Sequence, residues 1–528
     1  MEKENRRRIE EEKQNDTKVV TDSRSALFTL IILSSTLLAV MFSETMLLPA
    51  IPEIMRDFNI PYSTSAWIFS AYLIVAAVMT PIAGKLSDIY GSKKVLLTLL
   101  VLYVVGVVAG GFSNNITFLL ASRVIQGLGM AAVPVAFSIL RYSFPPEKLA
   151  MPVAVFSSAA SGGSVVGLLV GASIIQNFGW HATFFAIAPL ASIVTFVIAR
   201  FVHSSDKPHQ LETSEKNASS NRRAIRGRGS IRGRGSIRGR GSIRGRGSMI
   251  DIRGAIALSA AITSFLIALT FIENGDSFAE NSTQIAGISF AASAASLTIF
   301  VFLEKRAEEP LINLRLLRHR VLLPSYIMMI VTGTTIFLVY PTIVQLVRSP
   351  QPVGFGGNAV DAAHIQLPFM VVFLVFSAAT AYIISKLGKV KPTVFGGAIS
   401  IAGAIGLLMF HSTGFLVSAN LTIIAIGLAL TTTTTWNLIV SSAPKEFMGI
   451  STGIGALLLS IGMAIGPALA GTYMQTFHTS IKGIAGSFPS PESYNMVFLT
   501  AAVLSAVSLA CSLVLNRRLL KQEEKVAQ

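Results

Sequence analysis

The sequence predicts an all-α membrane protein with fourteen transmembrane helices, and three observations support this prediction. Only 13% of the residues are charged and the mean hydropathy is +0.62, whereas soluble domains contain about 25% charged residues. Apolar runs of bilayer length recur along the chain, and such runs cross a membrane as helices. Lysine and arginine are also asymmetric: 14 lie in five short loops of one side and 3 in loops of the other.

The order of the apolar runs sets the topology. By the positive-inside rule, the Lys- and Arg-rich loops and both termini lie in the cytoplasm. Residues 1–25 are expected to form a disordered cytoplasmic tail and residues 517–528 a second cytoplasmic tail. The predicted spans are 26–52, 65–84, 93–113, 116–140, 149–174, 179–202, 254–273, 283–304, 322–347, 363–386, 392–410, 413–440, 446–474 and 494–516.

A polar loop interrupts the apolar pattern at 203–250. Within it, residues 225–248 are four copies of Ile-Arg-Gly-Arg-Gly-Ser, and residues 203–248 carry a net charge of +9. A short period rich in Gly and Arg cannot bury a core, so a disordered basic cytoplasmic loop is expected. It is interpreted as a flexible linker without a specific nucleic-acid partner. Weak contact with anionic lipid heads or RNA remains the alternative.

The two halves of the chain show a shared spacing. Glu147 precedes Gly163 by sixteen residues, and Glu446 precedes Gly462 by sixteen, so both pairs are related by an offset of 299. The same offset brings the first two spans close to spans nine and ten. Parallel repeats of this kind build transporters whose substrate site lies between the repeats. The predicted domains are two six-helix bundles, an inserted helix pair and an inner linker: 26–202, 321–516 and 251–320.

A short basic turn joins spans two and three. It contains Gly84, Asp88, Gly91 and Lys93. This pattern resembles the loop between helices 2 and 3 of the major facilitator superfamily. The resemblance implies the major facilitator fold, and it implies that Asp88 locks the two bundles together on the inner side.

The fourth span contains a charge. Arg123, Gln126 and Gly127 belong to a stretch that matches the superfamily pattern Arg-x-x-Gln-Gly-x-Gly-x-Ala. A charge inside an apolar helix is costly unless it faces protein or water, so it is functional by default. The resemblance implies that Arg123 assists proton transfer; an arginine that snorkels from a helix end is the structural alternative.

The first span contains a carboxylate. Glu44 and Thr45 precede Pro49 and Pro52, and Glu44 is the only carboxylate well inside a predicted span. Burial favours the protonated form of a carboxyl group, so it can bind and release a proton near neutral pH. The stretch resembles the first span of the drug:proton antiporters, which implies proton coupling at Glu44. A structural hydrogen bond to a neighbouring helix is the alternative.

Glycines four residues apart line one face of span five. Gly163, Gly167 and Gly171 occupy the position of the antiporter motif, with Leu168 where that motif has proline. The proline appears instead in the repeated copy, Gly466-Pro467. Such glycines allow close helix contact, so they serve either helix packing or gating.

Residues 302–320, at the end of span eight and after it, indicate one branch of the superfamily. They are similar to the segment that follows the inserted helix pair in the fourteen-helix drug:proton antiporter branch. Thr45, Gln126, Trp436 and Asn437 are candidates for the substrate cavity, and packing is the alternative for Trp436 and Asn437.

Several chemistries are excluded by motif. The chain contains no Gly-x-x-x-x-Gly-Lys-Ser/Thr loop, no metal-ligand spacing and no nucleophile triad, and Cys511 is its one cysteine. The expected protein is therefore not an enzyme and needs no cofactor or metal. A proton gradient is the expected energy source.

The predicted function is proton-coupled export of drug-like or amphipathic small molecules by alternating access. The expected partners are the substrate, protons and the bilayer of the cell membrane, and the protein is expected to be a monomer. Proton-coupled uptake of a metabolite is the first alternative. A transporter-derived sensor or scaffold that works through the Arg-Gly loop is the second.

Overall fold

The computed structural model describes residues 23–144, 150–202, 252–272, 282–307, 319–442, 448–481 and 487–527. The predicted loop 203–250 and residues 1–22 of the predicted tail 1–25 lie outside these residues. The first half contains α1 (Ser23–Thr45), a 3₁₀ helix (Leu48–Ala50), α2 (Ile51–Phe58), α3 (Tyr62–Tyr90), α4 (Ser92–Gly111), α5 (Ile116–Met130), α6 (Ala132–Ser143), α7 (Ala150–Phe178) and α8 (His181–Phe201).

The second half repeats this helical pattern after two additional helices. The elements are α9 (Ile252–Ile272), α10 (Ser282–Arg306), α11 (Leu322–Arg348), α12 (Ala359–Leu387), α13 (Lys391–Met409), α14 (Gly414–Ser442), α15 (Met448–Thr476), β1 (His478–Thr479), β2 (Phe488–Pro489) and α16 (Pro491–Ala527). The two strands form a small antiparallel hairpin in which His478 pairs with Pro489. The sequence did not predict this hairpin.

The described helices confirm an all-helical, multi-pass membrane protein. Twelve segments are long and apolar enough to cross a bilayer, and two shorter apolar stretches, Thr64–Thr80 and Arg253–Ala268, lie in α3 and α9. These twelve correspond to twelve of the fourteen predicted spans. Large apolar side chains such as Phe196 and Phe415 are exposed, as expected for surfaces that face lipid.

Prolines shape two of the helices. The predicted span 26–52 ends as a helix at Thr45 and continues through the 3₁₀ helix and α2, because Pro49 and Pro52 lack the N–H that a continuous helix requires. The predicted span 116–140 is divided into α5 and α6. Pro134 cannot donate to the carbonyl of Met130, four residues earlier, and the division falls at that position.

The turn between spans two and three differs from the prediction. Helix α3 continues through most of the predicted turn, Gly84 to Lys94, and ends at Tyr90. Gly91 then adopts a φ of 91°, which separates α3 from α4. A residue with a Cβ is strained in this conformation, so glycine is required for the sharp break.

The helices of the two halves pack in matching pairs. In the first half, α1 packs against α7, α3 against α5, and α4 against both α5 and α8. In the second half, α11 packs against α15, α12 against α14, and α13 against both α14 and α16. Each helix pair of the first half therefore has a counterpart in the second half, formed by helices at the corresponding positions along the chain.

Two helix pairs form the most extensive contacts between the halves. Helix α3 packs against α15, and α7 packs against α12. At the first of these contacts, Ser70 Oγ donates to the carbonyl oxygen of Ala464 at 2.9 Å. Helix α9 packs against α10 and also contacts α3 and α15, so it lies beside the seam between the halves.

Candidate functional site

Glu44 lies in the last turn of α1 and is buried. Its side chain is 3% exposed. Within the described part of the chain, its Oε1 has no hydrogen-bond partner. A buried carboxyl oxygen without a partner is costly when ionised, so this position favours a group that can accept a proton.

Arg123 on α5 is completely buried and is fixed by two hydrogen bonds. Its Nε donates to the carbonyl oxygen of Ile68 at 3.1 Å, and its Nη1 donates to Gln126 Oε1 at 2.8 Å. Its Nη2 has no hydrogen-bond partner among the described residues. The guanidinium is therefore oriented by the protein while one donor remains available.

Two further interactions hold this arrangement. Gln126 Nε2 donates to the carbonyl oxygen of Gly106 on α4 at 3.0 Å, so both ends of the Gln126 amide are bound. The guanidinium carbon of Arg123 lies 4.5 Å from the ring centre of Tyr72 and 5.8 Å from that of Phe69. Stacking on aromatic rings stabilises a desolvated guanidinium.

Glu44 and Arg123 belong to one cluster of buried ionisable groups in the first half, together with Tyr72 and Tyr103. Tyr72 stacks on the Arg123 guanidinium, and the Tyr103 hydroxyl donates to the carbonyl oxygen of Ala39 at 3.5 Å, on the same helix as Glu44. Glu44 Oε1 and Arg123 Nη2 nevertheless form no hydrogen bond to each other. Among the described residues, the carboxyl group therefore keeps one oxygen without a partner, and the guanidinium keeps one nitrogen without a partner.

The glycines of α7 face the helix that carries Glu44. A Cβ built at Gly163 would collide with the backbone of Leu38, and one at Gly171 would lie 2.6 Å from the Cα of Met46. Thr45 Oγ1 lies 3.0 Å from the carbonyl oxygen of Ser164, to which it can donate. The close approach of α1 and α7 thus depends on these small residues.

The other predicted glycines also lie at helix contacts. A Cβ at Gly127 would lie 2.5 Å from the carbonyl oxygen of Tyr72, which places α5 directly against α3. A Cβ at Gly466 would lie 2.6 Å from the backbone nitrogen of Leu338 on α11. Pro467 lies inside α15.

The residues predicted to lock the inner side lie around the end of α3. The backbone of Asp88 is helical, but its side chain lies outside the description. Gly91 forms the break, and the side chain of Lys93 at the start of α4 is partly buried. A Cβ at Gly84 would meet no atom within 4 Å.

Two of the predicted cavity residues, Trp436 and Asn437, lie on α14 of the second half. Trp436 is partly buried and packs beside Gly455 of α15, and Asn437 is exposed. Tyr72, Phe69 and Gly106 were not predicted. The aromatic pair could have been noticed, because Phe69 and Tyr72 are three residues apart in an apolar helix that also carries Ile68.

Over the described residues, no three potential metal ligands among His, Cys, Asp and Glu lie together. The fold and the buried charges define a multi-pass helical membrane protein of the transporter class. Within this class, the family is identified by sequence: the profile of the Major Facilitator Superfamily matches residues 33–467.

Similar proteins come from bacteria and from humans. Multidrug resistance protein 3 of Bacillus subtilis (strain 168) is 26% identical over 474 residues, which cover 84% of this chain and 80% of the relative. The tetracenomycin C resistance and export protein of Streptomyces glaucescens is 25% identical, with 84% and 75% covered. The crystal structure of the human organic anion transporter MFSD10 (TETRAN) superposes with a TM-score of 0.59 at 14% identity, with 93% and 99% covered.

The chain belongs to the Major Facilitator Superfamily. The predicted family is confirmed, and the protein is a membrane transporter and not an enzyme.

Proposed function

We propose that the protein exports amphipathic, drug-like molecules in exchange for protons. The observation that carries this proposal is the buried carboxyl group of Glu44, whose Oε1 has no hydrogen-bond partner among the described residues, in the same half as the buried Arg123. The names of the similar bacterial proteins, a multidrug resistance protein and a resistance and export protein, support the substrate class.

Glu44 is the proton carrier in this proposal. When protonated it is neutral, and burial then carries no charge penalty. When it is ionised, a cationic substrate stabilises it. Proton and substrate therefore compete for one group, and this competition couples their opposite movements. Arg123 sets how readily the carboxyl group ionises, because its own orientation is fixed by Ile68 and Gln126.

The proposed architecture has fourteen crossings in two six-helix bundles, 26–202 and 321–516. The inserted pair is α9 and α10. The matching helix pairs of the two halves support the bundles, and the contacts of α9 with α3 and α15 support its place at the seam. Both termini lie in the cytoplasm, as the Lys and Arg distribution indicates. The transporter works as a monomer in the cell membrane and uses no cofactor.

Alternating access requires that the bundles rock about a site between them. The contacts that must change are those of α3 with α15 and of α7 with α12. The end of α3, with Gly84, Asp88, Gly91 and Lys93, forms the inner lock in this proposal. The sharp break at Gly91 supports it, because the break fixes how α3 and α4 emerge on that side.

The test uses the full chain in liposomes loaded with a pH dye. A gradient of ethidium is imposed, and proton movement is followed in wild type, Glu44→Gln and the control Glu492→Gln. Glu492 is an exposed carboxylate on α16, so the control removes the same charge away from the cluster. Proton flux opposite to ethidium is expected in wild type and the control, and its loss is expected in Glu44→Gln.

The result that rejects antiport is the absence of proton flux with wild type. Proton flux in the same direction as the solute identifies uptake instead. A function that Glu44→Gln leaves intact and that deletion of 225–248 abolishes identifies the sensor or scaffold alternative.

A further inference from the structure

A small polar cavity lies within the second half of the chain, away from the Glu44 cluster. It lies between α11, α13, α14 and α16, and its volume of about 10 Å³ gives room for about one water molecule. Its other lining residues are a valine, a glycine and a leucine. Six hydroxyl side chains line it: Thr332, Thr335, Ser400, Thr431, Ser505 and Ser508.

Three of these hydroxyl groups lack a partner. Ser400, Ser505 and Ser508 are 2%, 3% and 4% exposed, and the Oγ of each has no hydrogen-bond partner among the described residues. Serine in a helix can return its hydroxyl to a carbonyl one turn earlier. Thr335 and Thr431 do this, to Val331 and Gly427, at 2.8 and 2.9 Å. The three serines do not.

The walls of the cavity cannot close to satisfy these groups. A Cβ at Gly396 would lie 2.7 Å from the carbonyl oxygen of Gly427, so α13 and α14 are already in backbone contact. A Cβ at Gly397 would lie 3.0 Å from the Cα of Leu509, so α13 and α16 are in contact too. Further approach of these helices is excluded on both sides.

The chemistry of the lining selects a small neutral ligand. A hydroxyl group can donate one hydrogen bond and accept others, which matches the needs of water. Buried waters occur where polar groups would otherwise lack partners, and each forms about three hydrogen bonds. In the described lining no side chain is ionised, so nothing there compensates the charge of an ion.

We propose that this cavity is a built hydration site, in which ordered water bridges Ser400 on α13 to Ser505 and Ser508 on α16. The water links two helices that also meet where Gly397 approaches Leu509. The site stabilises the second half of the chain. It takes no part in the exchange at Glu44, because no residue of that cluster lines it.

The test is the thermal unfolding of the purified full chain in detergent. The variants are Ser400→Ala, Ser508→Ala and their combination. The matched control is Ser325→Ala, because Ser325 is equally buried but donates to the carbonyl oxygen of Val321 at 2.9 Å and does not line the cavity. If water bridges the serines, each single variant lowers Tm by about 1–3 °C. The combined loss is smaller than the sum, because the variants share the same water.

If the cavity is dry, Tm is not expected to fall in the serine variants. Removing a buried hydroxyl that has no partner then leaves Tm unchanged or raises it, and this result overturns the proposal. A Tm that rises with sodium over N-methyl-D-glucamine in wild type but not in the variants also overturns it, in favour of a cation site.

A second measurement does not depend on the variants. A density map of the wild-type chain, at a resolution that shows other buried waters, must contain a peak within hydrogen-bond distance of Ser400 Oγ and of Ser505 or Ser508 Oγ. Such a peak supports the proposal, and an empty cavity rejects it.

Discussion

Arg348 at the end of α11 is joined to Glu53 of α2 by an ion pair of 2.7 Å between Nη2 and Oε1. Its Nη1 also donates to the carbonyl oxygen of Pro49 in the 3₁₀ helix. The two side chains are 9% and 22% exposed, so water screens this pair only partly. The contact joins the first and second halves on the side that the charge distribution predicts to be outside. The two halves are therefore in contact on that side.

Removing the ion pair should favour opening to the outside. We expect Glu53→Gln to weaken the closed state by about 1 kcal/mol, or about fivefold in population. The measurement is the rate at which a membrane-impermeant maleimide labels Ser70→Cys in a Cys511→Ser background. Ser70 is buried where α3 meets α15, so its labelling reports separation of the halves.

Arg56→Gln provides the control for this experiment. Arg56 is an exposed charge on the same helix as Glu53, and its loss should leave the labelling rate unchanged. Equal rates for wild type and Glu53→Gln would show that the ion pair does not hold the halves together.

Gly167→Ala should separate α1 from α7 and so displace Glu44. A Cβ at this position would lie 2.8 Å from the Cα of Phe42 on α1, where only a backbone shift makes room. Such overpacking costs about 1–3 kcal/mol. We expect a lower Tm and transport below a tenth of the wild-type rate, measured in the same liposomes.

Gly162→Ala is the matched control on the same helix. A Cβ there meets no atom within 4 Å, so the variant should transport normally. If both variants behaved alike, general helix propensity and not the contact with α1 would explain the effect.

The sequence reveals the charged residues of the candidate site but not their partners. Glu44 and Arg123 can be identified from the sequence because each interrupts an apolar run, which depends only on the neighbouring residues in the chain. The partners of Arg123, the carbonyl oxygen of Ile68 and the ring of Tyr72, lie on another helix. Which face of α3 meets α5 depends on packing over the whole half, and a single apolar run does not show it.

The helix ends were predictable only in part. The division between α5 and α6 follows from Pro134, which periodicity alone did not show within an apolar run. The extension of α3 to Tyr90 could not be read from composition, because polar residues at the end of a span suit a helix and a turn equally. In the sequence, Arg348 is only one of the three Lys and Arg residues of the outer loops, since its partner Glu53 lies 295 residues away.

Gly91→Ala should destabilise the junction of α3 and α4. The φ of 91° at this position is unfavourable for any residue with a Cβ, and such strain costs about 1–3 kcal/mol. Gly84→Ala, with open space around its Cβ position, is the control. We expect Gly91→Ala alone to lower Tm. A normal Tm with reduced transport would assign Gly91 to the moving lock instead of to folding.

Gln126→Leu should test whether Arg123 acts through its orientation. The variant removes the acceptor of Arg123 Nη1 and the donor to the carbonyl oxygen of Gly106, and a buried group left without a partner costs about 1–3 kcal/mol. The charge at position 123 remains. We therefore expect a lower Tm and a changed pH dependence of ethidium export, because a displaced guanidinium alters how readily Glu44 ionises. Ser122→Ala is the control, since Ser122 is buried beside Arg123 but donates to the carbonyl oxygen of Leu119 in its own helix. If Gln126→Leu lowered Tm while the pH profile of export stayed that of wild type, the Gln126–Arg123 hydrogen bond would serve folding alone.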